Sequence, residues 1–244
     1  MNGFADRFEE DPHMGQRYPH RTPKDAATLI LLDRTGPEPK VLMGRRHHSH
    51  VFLPGKFVFP GGSVDPADRL MPVASPLHPL TEARLMRRIG RPSAAKARAF
   101  ALSAIRETFE ETGLLIGSKS ADAPRAPAGP WSAFAQAKVY PELANIHFIA
   151  RAITPPRRPR RFDARFFAAD VSEIAHRIDG IIGPQAELVE LVWMPLSEAK
   201  QLDLLAITQM VLQDLQAQIE AGFRHDLPAP FYRMLHGKRM REML

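Results

Sequence analysis

Glu107, Glu110 and Glu111 stand at i, i+3 and i+4 within RETFEETGL, residues 106–114. At 3.6 residues per turn, three carboxylates so spaced share one face of a helix. Like charges at this spacing repel by roughly 0.2–0.5 kcal/mol per pair. Gly113 is the residue type that stops helices, which puts the cluster in a last turn. There the helix dipole disfavours each anion by about 0.3–1 kcal/mol. A bound divalent cation reverses both penalties, and hard oxygen ligands on a rigid helix suit Mg²⁺ or Mn²⁺. A solvated acidic face is the plainer reading of a bare Glu-Glu pair. Arg106 before the cluster, Gly113 after it and Pro60-Gly61-Gly62 upstream set this one apart.

These residues must be held by a framework that the rest of the chain supplies. Residues 94–112 carry Ala97, Phe100, Ala101, Ala104, Ile105 and Thr108 at three- and four-residue spacing, which predicts a helix ending at Gly113. AATLILLD (26–33) and VLMGRR (41–46) are strand-length runs joined by a turn, so they predict a hairpin. FVF (57–59) is a short third strand running into the two glycines, whose backbone needs unusual dihedrals or close approach by another group. LLIG continues as a strand after Gly113. Residues 122–130 are a Pro/Ala/Gly-rich linker, followed by a short helix in WSAFAQAK. NIHFIARAI (145–153), RFDARFFAAD (161–170) and AELVELVWMP (186–195) are further strands, and 196–222 reads as two helices. Strands, helix, strands, helix is the order of an α/β chain with a mixed sheet between helices.

Composition bounds the function. The chain has 244 residues and 44% hydrophobic content, ordinary for a globular protein. It has no cysteine, which excludes disulfides and thiolate metal sites. No run is long and apolar enough to span a bilayer, and the polar, acidic start MNGFADRFEEDPH is no secretory signal, so the expectation is a cytoplasmic protein without a membrane partner. The net charge of +6 attracts polyanions, either nucleic acid or a small phosphorylated metabolite.

Arg106-Glu107, Glu110-Glu111 and Gly113-Leu114 resemble the core of the Nudix box: Gly, five residues, Glu, seven residues, then Arg-Glu-U-x-Glu-Glu-x-Gly-U, with U bulky and apolar. Gly62 matches the leading glycine. Asp68 stands where the pattern has its first Glu, Thr108 is less apolar than U, and thirty-seven residues rather than seven separate Asp68 from Arg106. The chain is similar to a subgroup with a long insertion inside the box, which includes peroxisomal coenzyme A diphosphatases and bacterial relatives. FLPGKFVFPGG, RFDARFF, ELVELVWMPLSEA and PFYR extend the likeness. The middle arginine of that subgroup's upstream signature is not matched, since His50 and Val51 stand there.

The resemblance implies a Nudix-type α/β/α sandwich over residues 25–244, with an N-terminal arm at 1–24 and the insertion at 69–98. It implies a metal-dependent hydrolase of diphosphate bonds in nucleotide conjugates, with coenzyme A or acyl-CoA favoured and ADP-ribose or NADH as alternatives. Glu107, Glu110, Glu111 and a carbonyl around Gly61 or Gly62 would ligate Mg²⁺ or Mn²⁺, and Arg106 would orient a box carboxylate. The general base would be a box glutamate such as Glu107 or one on a later loop, Glu187 ahead of Glu190. Arg45 and Arg46 are candidates to hold substrate phosphate, against a plain exposed strand end. His47, His48 and His50 read as loop histidines rather than a second metal cluster. PPRRPRRFDAR has the charge of a nucleic-acid patch, but alternating positions in RFDARFF more simply make a half-buried strand, where an arginine could equally grip a substrate phosphate. A homodimer stands among the options. A reading from a different class is a non-catalytic Nudix-fold sensor or RNA-binding module; such proteins usually lose box carboxylates, and this chain keeps them.

Overall fold

Alternation of apolar side chains along the strands builds two cores on the two faces of one sheet. In a computed structural model, which describes residues 21–49 and 54–244, β1 (Lys24–Asp33) sends Ala27, Leu29 and Leu31 to one face and Ile30 and Leu32 to the other. The chain continues through β2 (Lys40–Arg46), β3 (Phe57–Val58) and β4 (Gly61–Ser63). A 3-10 turn (Pro66–Leu70) leads to α1 (Pro79–Leu85) and the long helix α2 (Ala94–Thr112). Then come β5 (Leu114–Ile116), β6 (Ser118–Lys119), α3 (Ser132–Gln136), β7 (Val139–Tyr140), β8 (His147–Ile153) and β9 (Phe162–Asp170). The last elements are β10 (Ile174–Arg177), β11 (Leu188–Pro195), α4 (Leu196–Ala199), α5 (Ala206–Glu220), β12 (Pro230–Leu235) and β13 (Lys238–Met243).

The main sheet runs β11-β2-β1-β9-β8-β12-β13, with β3 beside β2 and β4 beside β1. β1 and β9 pair in parallel from Lys24↔Phe162 to Leu32↔Asp170, and β1 pairs antiparallel with β2, so the sheet is mixed. Helix α2 covers the face of Ala27, Leu29 and Phe167, while α5 covers Ile30, Met43 and Phe166 through Met210, Val211 and Leu215. This is the expected α/β/α sandwich. Among the described residues no helix is long and apolar enough to cross a membrane.

The predicted helix over 94–112 has those limits. Ser93 caps it by accepting from the Lys96 N–H, and Gly113 ends it at φ +77°. Residues 94–98, placed in the insertion by sequence, are therefore the first turn of this helix. Inside the insertion α1 takes Pro79–Leu85, because His78 accepts from the Leu80 N–H and Pro79 presets the first turn. The strand expected from 145 begins at His147, and the strand after Gly113 joins β10 in a separate small sheet. Sequence did not foresee the β12–β13 hairpin. Of the arm expected over 1–24, residues 1–20 lie outside the described residues, and Lys24 already belongs to β1.

Two devices tie the insertion down. Buried Arg151 donates to the carbonyls of Arg87 and Arg88 (3.1 and 3.2 Å) while its fork holds Asp163. His78, at the head of α1, begins a column of parallel rings: His78 on His225 (centroids 4.2 Å), His225 on His147 (3.9 Å) and His147 on Phe223 (4.0 Å), with Arg34 over Phe223. Burial, helped by His225, Arg34 and His78, pushes the His147 imidazole down to about 3. The unfolded chain therefore binds a proton there that the fold excludes. This contribution to stability is full above the ordinary histidine value of 6.5 and is lost as pH falls toward 3. His147→Phe, which keeps a ring in the column, should flatten the loss of stability between pH 7 and pH 4.5 in urea titrations. Parallel losses in the two proteins would assign the acid sensitivity elsewhere.

Candidate active site

Arg106 lies inside the protein at 7% exposure, and each arm of its guanidinium is used. Nε donates to Asp68 Oδ1 (2.7 Å), and Nη2 donates to Asp68 Oδ2 (3.2 Å) and the Ser63 carbonyl (2.9 Å). Nη1 donates to Glu107 Oε1 (2.8 Å) and Glu110 Oε1 (2.6 Å). Burial works against its charge, but the hydrogen bonds to Asp68 and Glu110 and the carboxylates of Glu107 and Asp68 outweigh that and raise its pKa. Asp68 is fully buried and also accepts from the Trp131 indole (3.1 Å) and the Asp65 N–H (2.8 Å). Asp68 thus orients the Arg106 guanidinium. Sequence reading missed Trp131. Its signal is faint: a tryptophan directly after a Pro/Ala/Gly-rich linker.

The two glycines have different jobs, and neither has a positive φ. β4 pairs with β1 through Ala27↔Gly62 and Thr28↔Gly61. A Cβ on Gly61 would meet the Ala27 carbonyl at 2.7 Å and Thr28 Cα at 2.9 Å, so Gly61 is needed for the approach of β1. A Cβ on Gly62 would meet the Glu107 carboxylate at 2.4–2.6 Å. Close approach, rather than unusual dihedrals, accounts for this pair.

Glu107 and Glu111 lie under these glycines. Burial raises the Glu107 pKa, partly offset by Arg106. Burial raises Glu111 well above the usual carboxylate range; Glu187 and Glu107 add to this, and the Gly61 N–H and Arg46 oppose it. Glu111 Oε2 is buried with no hydrogen-bond partner. A buried carboxylate oxygen without a donor, beside two more carboxylates, fits a hard divalent cation. Among the described residues no three Asp, Glu or His side chains stand gathered around one point, and Glu107 and Glu110 are both paired with Arg106. Glu107, Glu110 and Glu111, with a carbonyl of the Gly61-Gly62 strand, are the residues that could hold the ion.

Arg45, Arg46, Glu187 and Glu190 turn out to be partners. Glu190↔Arg45 and Leu188↔Arg46 are register pairs of β11 and β2. Arg46 Nη2 meets Glu187 (3.0 Å), and Arg45 Nη2 meets Glu190 (2.7 Å). Strand alternation puts Arg46 on the α2 face, where its charge and that of Glu187 reach Glu111. Arg45 and Glu190 alternate with Met43 and Val192, whose side chains join the α5 core. Arg46 and Glu187 therefore accompany the box carboxylates, and Arg45 and Glu190 stand on the other face.

The histidine loop supplies no second cluster among the described residues: His47 Nδ1 pairs with Ser49, the His48 ring lies against Gly55, and His50 lies outside the described residues. The phosphate-gripping reading of RFDARFF is corrected. Arg165 is 1% exposed, stacked 3.8 Å above the Phe100 ring and paired with Asp25 and Asp163, and Arg161 is buried against the Thr154 carbonyl.

No family model matches the chain, and no curated protein does. Among solved structures it is similar to a Nudix hydrolase from Alicyclobacillus acidocaldarius, at 29% identity and a TM-score of 0.59 over 80% of this chain and 92% of that one. A more distant likeness, at 14% identity and a TM-score of 0.46, is to the Nudix domain of Shewanella oneidensis NrtR complexed with ADP ribose, over 86% of this chain and 94% of that one. The fold is that of Nudix hydrolases.

Two outcomes follow from the geometry. Gly61→Ala should cost about 2 kcal/mol or more in chemical denaturation, since backbone must move. Gly62→Ala should fold but weaken Mn²⁺ binding at least about tenfold in calorimetry, by displacing Glu107. Equal stabilities and unchanged Mn²⁺ affinity would break this division of labour. Glu111 supplies the second. Its raised pKa adds stability that is full below the ordinary glutamate value of 4.5 and lost as pH rises through the raised value. In chelator, the thermal midpoint of Glu111→Gln should therefore gain on wild type as pH rises. Mn²⁺ at pH 8 should reverse the order.

Proposed function

We propose that the chain is a metal-dependent Nudix diphosphatase that hydrolyses the phosphate anhydride of nucleotide conjugates. The observation that carries this reading is the partnerless buried oxygen of Glu111, which faces the carboxylates of Glu187 and Glu107. Glu107, Glu110 and Glu111, with a carbonyl around Gly62, would hold Mg²⁺ or Mn²⁺. When bound, the ion supplies charge neutralisation of the diphosphate and activation of water.

The chain's own groups do the rest. Arg106 fixes Glu107 and Glu110 in register, as a positioning residue held by Asp68. Glu187, at the head of β11 and 45% exposed, takes the proton of the water that attacks phosphorus. Glu107 is the alternative base. Arg46, with 15% of its side chain exposed, meets a substrate phosphate by exchanging its pairing with Glu187, which at the same time frees that carboxylate. Arg45, on the opposite face, has no part in this exchange.

Coenzyme A or acyl-CoA is the first substrate class in this reading, with ADP-ribose and NADH as alternatives. A single domain over 25–244 and a cytoplasmic location in keeping with the absence of cysteine complete it. The sensor or RNA-module reading lacks an observation of its own, since every box carboxylate is present.

A hydrolysis screen over coenzyme A, acyl-CoA, ADP-ribose, NADH and capped RNA, with products identified by mass, tests the proposal. Activity should require Mg²⁺ or Mn²⁺, and Glu110→Gln and Glu111→Gln should each lower kcat by about a hundredfold or more. Variants as fast as wild type would remove the metal assignment. Tight RNA binding that persists at high salt, with no diphosphate cleaved, would favour the sensor class.

A further inference from the structure

A cleft of about 410 Å³ opens on the α2 face of the β2–β11 pair. Its walls are Leu42, Leu114, Ile174, Ile182, Leu191 and Trp193, with Arg177 at the mouth. Trp193 is 36% exposed, unusual for so large an apolar side chain in mid-strand. Leu114 is three residues past Glu111. The segment 178–187 leaves β10, packs its Ile178 backbone on Gly113, contributes Ile182 to the cleft and ends at Glu187. The carboxylate site and the cleft thus share the end of α2 and one connecting loop.

Spacing along the strand connects them. At about 3.3 Å per residue, Leu191 lies about 10 Å and Trp193 about 16 Å along β11 from Leu188. A group joined to a diphosphate held by Arg46 and by a cation at Glu111 would reach the cleft within a chain of roughly eight carbons. The lining also selects chemistry. Among the lining side chains, polar groups are limited to the Trp193 indole and Arg177, and Arg177 is already paired with Asp179 at 2.8 Å. A sugar or the edge of a base would lose its hydrogen bonds here, whereas an alkyl or acyl chain would lose nothing.

The geometry points to this cleft as the specificity subsite of the hydrolase, taking an apolar chain carried by the diphosphate, with Trp193, Ile182 and Leu191 as its selecting residues. The inference rests on the diphosphatase reading. Trp193 provides a readout independent of turnover: the chain has two tryptophans, and Trp131 is fully buried.

The octyl and methyl esters of methylene-bridged ADP, and methylene-bridged ADP-ribose, none of which can be hydrolysed at the bridge, would be titrated with Mg²⁺ present while tryptophan emission is followed. The octyl ester should shift the emission and bind at least about tenfold tighter than the methyl ester, from the burial of its methylenes. Trp193→Phe should lose the shift. For the hydrolysable ADP esters, with Mn²⁺ or Mg²⁺ present, the octyl-to-methyl ratio of kcat/KM should exceed about ten through KM, and should fall in Trp193→Ala and in Ile182→Ala, with the fold of each checked by its thermal midpoint. Equal binding of the two esters, or an equal response to ADP-ribose, would overturn the subsite. An octyl-dependent shift in a protein that cleaves no diphosphate would keep the cleft and remove the diphosphatase reading.

Discussion

The site depends on one buried guanidinium. Arg106 spends its hydrogen bonds on a carboxylate from the start of the insertion, a carbonyl at the end of β4 and two carboxylates of its own helix. An arginine left unpaired at this depth would cost several kcal/mol, so the three segments are stable only together. Trp131 extends the arrangement to a fourth segment by closing over Asp68. The planar fork matters, because a lysine ammonium at the same point could not satisfy partners in four directions.

Around that fixed cation the acidic groups divide by burial and pairing. Glu107 and Glu110 are tethered to Arg106, whereas Glu111 faces Glu187 and Glu107 with only the Gly61 N–H and the charge of Arg46 to offset them. The carboxyl group whose ionisation the site penalises most is therefore the one whose second oxygen has no donor, and a cation would relieve that penalty. The last-turn dipole works against all three glutamates, so the helix end alone would not hold them there.

Legibility in the sequence followed the range of the interaction. The limits of α2 were readable because Ser93 and Gly113 act within one turn of themselves. The β1–β2 hairpin and the two-faced sheet were readable from short-range alternation. The pairing of Arg45 and Arg46 with Glu190 and Glu187 was not, because it depends on the register of strands about 140 residues apart, including an irregularity after Leu188. The face assignment that separates Arg46 from Arg45 follows from the same register. Arg165 looked like a surface cation in a basic run; its burial needs Asp25 and Asp163 from two different strands and the ring of Phe100. The β5–β10 and β12–β13 pairings were hidden for a related reason: short or strongly charged strands carry little periodic signal of their own.

The clamp between Asp68 and Arg106 has a consequence for the length of chain between them. Closing a loop costs entropy that grows only with the logarithm of its length, so going from seven residues to thirty-seven adds about 1.5 kcal/mol. A buried, bidentate ion pair at the closure point is of the size to absorb that penalty, and the Arg151 bonds to the Arg87 and Arg88 carbonyls divide the loop into shorter spans. Insertion length is thereby uncoupled from the geometry of the helix end, and the excursion is free to vary in sequence and size while its two anchor points stay a hydrogen bond apart.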